Sequence, residues 1–497
     1  MAPSPARRWL FRLAAASSGL LALGVVELGL RVAGVQPGGT WEPPRLVQIV
    51  EKGEVSGGFT VRATPHWVSE PLADGRPGYR VAEAHRRGKG GGFPVGGAMR
   101  DVHVAAEPAA GTRRFVILGG SAALGLRPMG PKSKQVKTEQ LPSGAAVVPH
   151  ALAIAGKLEA EMAERGQTIE VVNAGMIAQD SGAVRVIAEE SLALKPEGLL
   201  LYLGNNEGIG MAWAMRDLDL PEVVPAVRGT LRHSRIYRVL AGFIVERRQQ
   251  AQPQPAPAPK RQGKPSPGGQ MEIGPEVLAR IGRAQWQSAG VPLVDGADPS
   301  DTVHAAILAR LERNLRAVVE AAQAQGVSVT IIPTPTHLTY KPFSTSADPG
   351  ISSSAAAEAQ GLADQSEQLR TSGQPEQAVA LARKAVALDE GSAGAWFALG
   401  MALDTAGDAD GAVDALEAAV ARDLSRKRTQ PQFGAVAARV CADLGCRTLS
   451  AHDRLSARAR AEGVGLYDEI LGDHEHLNPE GNAWVAGLFA ELLAEAP

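Results

Sequence analysis

The pattern that most narrows the folds open to this chain begins at Arg113, where short apolar runs and helical segments start to alternate. VILGG leads to HALAIAGKLEAEMAERG, then to IEVVNAG, VRVIAEESLALKP and GLLLYLGNNEG. Runs such as Phe115–Leu118 are too brief for helices and end in glycine turns, so they read as buried strands. Strands separated by helices imply a parallel sheet wrapped by helices. In such sheets ligands meet the carboxyl ends of the strands, where a helix start also presents unpaired N–H groups. Ser121, in RRFVILGGSAALG, falls at such an end. The loop suits a nucleophile or a bound phosphate, but taken alone this stretch favours an ordinary strand-turn-helix corner with a capping serine. Neither the Walker spacing nor G-x-G-x-x-G is present, which weakens the nucleotide reading.

Two segments interrupt the alternation. After Arg247, QQAQPQPAPAPKRQGKPSPGGQ has nothing to bury and reads as a disordered or extended loop over 247–275. The pattern resumes with HAAILARLERNLRAVVEAAQAQG and VSVTIIPTPTH, and then repeats itself at an offset of 34 residues. That offset pairs Gly373 with Gly407, Ala378 with Ala412, Ala385 with Ala419 and Asp389 with Asp423. The period and the second copy, with Trp396, Leu399, Gly400, Ala412, Leu416 and Ala419, resemble tetratricopeptide repeats. The first copy has Gln365 and Ser366 where Leu and Gly are usual. Two repeats fall short of the usual three, so this helical insert is expected to lean on the neighbouring domain.

Arg7, Arg8 and Arg12 precede an apolar run from Leu13 to Leu30. As a helix this run is just long enough for a bilayer core of about 30 Å. It is a signal peptide or a signal anchor. Glu27 and Arg31 stand where a cleavable signal needs small neutral residues, although Val32-Ala33-Gly34 is a weak site, so retention is favoured. The arginines place the amino terminus in the cytoplasm and everything after about Val35 outside it. The balance of 51 basic and 53 acidic side chains, a net charge of -2, argues against nucleic acid as a partner. Cys441 and Cys446 match neither a redox nor a zinc spacing; they form a disulfide in an oxidising compartment or remain two buried thiols.

The expected organisation is therefore an anchor over 1–35, an irregular β-rich extension over 36–110 that includes Phe59–Arg62, and an α/β core in three parts. Those parts span 111–246, 276–345 and 430–497, separated by the proline-rich loop and by the repeat insert at 355–425.

Three further stretches give Ser121 company. VVNAGMIAQDSG places Gly175 after a strand, LLLYLGNNEG places Asn206 after another, and GDHEHLNPEGN supplies Asp473 and His476 three residues apart. Together these blocks resemble the SGNH (GDSL-like) hydrolases, in which four short blocks supply serine, glycine, asparagine and histidine to one site. The resemblance covers about Arg113 to Leu493 and looks closest to membrane-anchored bacterial members with a tetratricopeptide segment before the last block. Gly120 stands where the namesake motif has Asp, and Ala178 stands where a second glycine is common.

The resemblance implies a flavodoxin-like parallel sheet with helices on both faces, and acyl transfer through an acyl-serine. Ser121 is the implied nucleophile, His476 its general base and Asp473 the group that orients the imidazole. The implied oxyanion donors are the amides of Ser121 and Gly175 and the side chain of Asn206. No cofactor or metal is implied. His474 is a rival base, but its adjacency to Asp473 makes it the poorer partner. His337 follows a strand and reads as a surface-loop histidine, with a crevice-lining position as the other reading. The expected protein is a bacterial inner-membrane esterase with its catalytic domain in the periplasm, acting on an acyl or acetyl group of an envelope glycan or lipid. An O-acyltransferase using the same serine, and a non-catalytic scaffold that binds protein partners through its repeats, are the rival readings.

Overall fold

The computed structural model describes residues 26, 28, 29, 47–51, 54–58, 66–87, 98–128, 136–177, 179–207, 299–342, 351–423 and 428–494. The chain divides into two units. In the unit formed by Met1–Pro65 and Asp219–Glu272, the described strands Val47–Glu51 and Glu54–Gly58 pair antiparallel. Nearly all of Leu13–Leu30, all of Phe59–Arg62 and the proline-rich loop lie outside the described residues. Among the described residues, no helix is long and apolar enough to cross a membrane.

The other unit, His66–Leu218 with Ile273–Pro497, is built on a parallel sheet of five strands. In chain order they are β1 (Arg113–Gly119), β2 (Ile169–Asn173), β3 (Gly198–Leu203), β4 (Ser328–Pro333) and β5 (Arg447–Thr448). Their spatial order is 2-1-3-4-5, the flavodoxin-like arrangement, which reverses direction between β1 and β3. Register follows the apolar runs: Phe115 to Gly119 lie opposite Gly198 to Tyr202, and Gly198 to Leu203 lie opposite Ser328 to Pro333.

Because side chains alternate across a strand, each run feeds two cores. Phe115, Ile117, Leu200, Tyr202 and Ile332 join one, with Ile154, Leu158 and Met162 of helix α2 (Ile154–Glu164). Helix α1 is the short turn Ser121–Leu124 that follows β1. Val116, Leu118, Leu199, Leu201 and Val329 join the other core, which is roofed by α3 (Ser181–Ser191) and α4 (Pro299–Gln323).

The insert is four antiparallel helices: α5 (Ser353–Thr371), α6 (Pro375–Leu388), α7 (Ala393–Thr405) and α8 (Ala409–Arg422). The 34-residue repeat has a physical counterpart at several positions. Gly373 and Gly407 both turn the chain with positive φ, at 78° and 86°. A Cβ at Gly400 would lie 2.6 Å from Leu416 Cγ and 3.0 Å from the Ala412 carbonyl, so only glycine admits this approach of α7 to α8. At the matching point of the first copy, Ser366 is buried and its hydroxyl donates to the Ala378 carbonyl at 2.9 Å, which satisfies the polar group between the helices.

The chain returns through α9 (Phe433–Leu444), α10 (Ala451–Glu462), α11 (Leu466–Ile470) and α12 (Pro479–Ala494). The insert does lean on its neighbour: Arg460 of α10 pairs with Asp414 of α8 at 2.7 Å, and the Val464 amide donates to Asp404 at 3.1 Å. Cys441 and Cys446 are joined in a disulfide between the end of α9 and the approach to β5.

Residues 66–105 are more than an irregular lead-in. Trp67–Ser69, Gly78–Val81 and His103–Ala105 form a three-stranded antiparallel sheet. It is pinned to the core by Trp67 Nε1 donating to Ser191 Oγ at 3.0 Å and by buried Arg114, which donates to the carbonyls of Ala105 and Leu194 at 2.9 and 2.8 Å.

Candidate active site

Ser121 is the first residue of α1, directly past the carboxyl end of β1, and Asn206 lies just past β3. The two strands that flank the reversal of strand order therefore deliver both residues to the crevice expected there. Gly120 precedes the serine because nothing larger fits: a Cβ there would lie 2.4 Å from Asn206 Nδ2 and 3.1 Å from the Gln179 carbonyl.

The carboxyl-terminal block supplies the partners. Its turn is closed by the Gly472 amide donating to the His476 carbonyl at 2.8 Å. Asp473 Oδ1 accepts from the amides of Glu475 and His476 at 2.9 and 2.8 Å, which fixes the carboxylate under the imidazole. His476 Nδ1 lies 2.9 Å from Asp473 Oδ2, and Nε2 lies 2.9 Å from Ser121 Oγ. With Nδ1–H donating to the carboxylate, Nε2 is the acceptor for the serine hydroxyl. All three side chains are buried.

Burial alone lowers the pKa of His476, but the charges of Asp473 and Glu475 and the Asp473 hydrogen bond outweigh it and raise it to about 9. The surroundings thus favour the imidazolium that forms when the serine gives up its proton.

Around the rest of the crevice the expected residues separate. Asn206 Nδ2 donates to the Gln179 carbonyl at 3.0 Å, which aims its amide group beside Gly120. The Ser121 amide, at the first helical position, has no carbonyl four residues back within its helix. The Gly175 amide, by contrast, is taken: it donates to Asn173 Oδ1 at 3.0 Å, while Asn173 Nδ2 donates to the Ala123 carbonyl at 3.0 Å. Gly175 is needed for packing, since a Cβ would meet the Leu124 amide nitrogen at 2.4 Å. Ala178 lies outside the described residues.

His476 rather than His474 reaches Ser121; His474 tilts against the Tyr340 ring, with centroids 5.4 Å apart. The surface-loop reading of His337 is overturned, for it is buried. The loop after β4 folds beneath the carboxyl-terminal turn, so that His337 Nδ1 lies 2.6 Å from the Asp473 carbonyl and Nε2 lies 3.1 Å from Asp468. Among the described residues, no group of three or more His, Cys, Asp or Glu is arranged to hold a metal ion.

Several supporting residues carry no local signal. Arg100 donates from Nε to the Leu124 carbonyl at 3.0 Å, holding the end of the nucleophile turn from the extension. Glu207 accepts from the Ser181 amide and hydroxyl at 2.7 and 2.8 Å, tying the asparagine loop to the start of α3. Complete burial and the nearby Asp180 charge push the Glu207 carboxyl up to about 7. Glu475 accepts from Asn205 Nδ2 at 3.1 Å.

Comparison with known proteins bears on the parts unequally. Residues 369–430 match the tetratricopeptide repeat family. A comparison with curated proteins finds no match. Among solved structures, a lipase/acylhydrolase from Enterococcus faecalis is similar at 10% identity, over 76% of this chain and 94% of that one, with a TM-score of 0.29. An α/β hydrolase enzyme from the metagenome of Lake Arreo, Spain, is similar at 12% identity, over 77% and 95%, with a TM-score of 0.30. The chemical reading of the site rests on its own geometry.

Proposed function

We propose that this protein is an exported serine ester hydrolase acting through an acyl-serine. The observation that carries this reading is the continuous chain of hydrogen bonds from Ser121 through His476 to Asp473, set at the carboxyl ends of the strands. Ser121 Oγ attacks the ester carbonyl and its proton passes to His476 Nε2. The negative charge formed on the carbonyl oxygen is met by the Ser121 amide and the Asn206 amide group. As the alcohol leaves, it takes the proton from Nε2, and water repeats the sequence to free the acid. Gly175 has no part in this scheme, because its amide is already bonded. The preferred substrate is an acyl or acetyl ester on an envelope glycan or lipid, and the repeat insert is the surface offered to a protein partner. An O-acyltransferase would share every step except the last, with a hydroxyl replacing water.

Labelling the purified full-length chain with a serine-directed phosphonate should modify Ser121. S121A should abolish both labelling and turnover of short acyl esters, and undiminished turnover by that variant would overturn the reading. Export and retention in the inner membrane are supported by the three arginines ahead of Leu13–Leu30, and export by the Cys441–Cys446 disulfide, a bond favoured outside the cytoplasm. A reporter fused after Pro497 should be active outside the cytoplasm and should stay with the membrane after a salt wash; release of a shortened soluble chain would mean that the signal is cleaved.

A further inference from the structure

Beside the reacting atoms lies a pair of side chains that the scheme above does not use. Asn205 is almost wholly buried, and its Nδ2 donates to Glu475 Oε2 at 3.1 Å. Its Oδ1 is a buried acceptor with no hydrogen-bond partner among the described residues, and it lies 3.2 Å from where a Cβ on Gly120 would be. The other oxygen of Glu475, Oε1, is 3.6 Å from His476 Nε2, the nitrogen that serves Ser121. His474 Nε2 flanks the same oxygen at 3.7 Å.

We propose that Asn205 and Glu475 form the subsite for the alcohol half of the ester, and that they select an uncharged alcohol carrying a free hydroxyl on the carbon next to the esterified one, as a sugar does. This inference rests on the hydrolase reading and narrows its substrate from glycan or lipid to the polyhydroxylated class.

The geometry carries the choice. The leaving oxygen must lie within hydrogen-bond reach of His476 Nε2 to receive its proton. Glu475 Oε1 is adjacent to that nitrogen, so a hydroxyl on the neighbouring carbon meets the carboxylate. Such an O–H donating to an ionised acceptor forms one of the stronger hydrogen bonds. Asn205 holds Glu475 in place with its amide, and its orphaned Oδ1 offers a second acceptor to a second hydroxyl. Two acceptors and a negative charge have nothing to offer an alcohol bearing a phosphate or carboxylate, which is repelled. An alcohol without that second, free hydroxyl leaves the buried acceptor unpaired. In the transferase direction the same pair would hold the incoming sugar hydroxyl.

Three acetate esters test this: ethylene glycol monoacetate, its methyl ether 2-methoxyethyl acetate, and acetoxyacetate. For each protein the readout is the ratio of kcat/KM between two esters, which cancels any change shared by all substrates. The native chain should favour the free hydroxyl over the ether by about tenfold or more, the scale of a hydrogen bond to a charged group. Acetoxyacetate should be the poorest of the three. E475Q should shrink the hydroxyl preference and, with opposite sign, raise acetoxyacetate relative to the ether. N205A should lower the hydroxyl preference while leaving acetoxyacetate disfavoured, because the carboxylate remains. Phosphonate labelling of Ser121 reports whether each variant retains an assembled site. If the native chain labels at Ser121 but shows no hydroxyl preference, or if a variant that still labels keeps the native ratios, the subsite assignment is overturned and the hydrolase reading stands. Failure of the native chain to label or turn over any ester overturns both.

Discussion

Asp473 shows how much of the site a short block of sequence contains. Its carboxylate serves two backbone amides and the imidazole at once, all within residues 473–476. Local spacing therefore encodes the geometry, and the pairing with His476 is readable without the fold. The removal of Gly175 from the oxyanion side was not readable in that way. Which amide faces the crevice after β2 is decided by Asn173 folding back on the chain and bonding both Gly175 and the carbonyl of Ala123, a residue 50 positions away. Asp473→Asn is expected to leave the fold intact, since an amide oxygen still accepts from the two backbone N–H groups. Its Nδ2 cannot accept from His476 Nδ1–H, and the imidazolium loses its counter-charge. We expect kcat/KM to fall by about 10- to 10³-fold, on the scale where 1.36 kcal/mol is tenfold. The pH profile carries a second signature. His476 must be neutral to accept the serine proton, so kcat/KM rises with pH through its pKa, which Asp473 helps to hold near 9. Removing that charge lowers the pKa, and the acid limb of the profile should move to lower pH even as the plateau drops. A limb that stays in place would show that Asp473 does not set the charge state of the base.

Elements were legible wherever periodicity reports on both faces. The runs of β1 and β3 are apolar throughout because helices cover both sides of the sheet, and the 34-residue period marked the paired helices of the insert. At Trp67–Ala105 the β character was legible but the ordered sheet was not, because its strands are three or four residues long and its anchors, Trp67 and Arg114, bond to residues far away in sequence. Gly400 offers a test of packing between elements. Gly400→Val would place carbon against Leu416 and the Ala412 carbonyl, where a Cβ alone is already too close, and would push α7 from α8. Overpacking of this kind costs about 1–3 kcal/mol. Thermal unfolding followed by circular dichroism should show a lowered midpoint, whereas Gly463→Ala, whose Cβ would have only Asp404 Oδ1 near it among the described residues, at 3.8 Å, tests the strain of a φ of 97° without crowding. Equal midpoints for Gly400→Val and the native chain would mean that the two helices are not packed at this point.

For the molecule as a whole, the question is whether the insert is an appendage or part of the catalytic unit, and a buried ion pair at their junction answers it. Asp423, just past α8, lies 3.1 Å from Arg428 Nη2, and both side chains are buried. Arg428 Nη1 donates to the Tyr340 carbonyl at 2.7 Å and to the His337 carbonyl at 3.3 Å, and His337 in turn contacts the Asp473 carbonyl. Asp423, at the end of the insert's last helix, is thus three contacts from the turn that carries the base. Neither segment announces this in sequence, because Arg428 and His337 are joined only by the return of the chain from the insert. Asp423→Ala leaves a buried guanidinium without its carboxylate, a loss of about 3–5 kcal/mol where one partner of a buried pair is removed. A hydrophobic replacement of the pair is far less costly, so Asp423→Ala with Arg428→Met should recover most of that stability. Esterase activity should follow a different course: Asp423→Ala should lower kcat by displacing the His337 loop beneath Asp473, and the double variant, which lacks the Arg428 bonds to the loop, should stay impaired although stable. Calorimetry and kinetics on the same samples check both halves. Two separate unfolding transitions in the native chain, with only the insert affected by Asp423→Ala, would make the repeats an independent attachment instead.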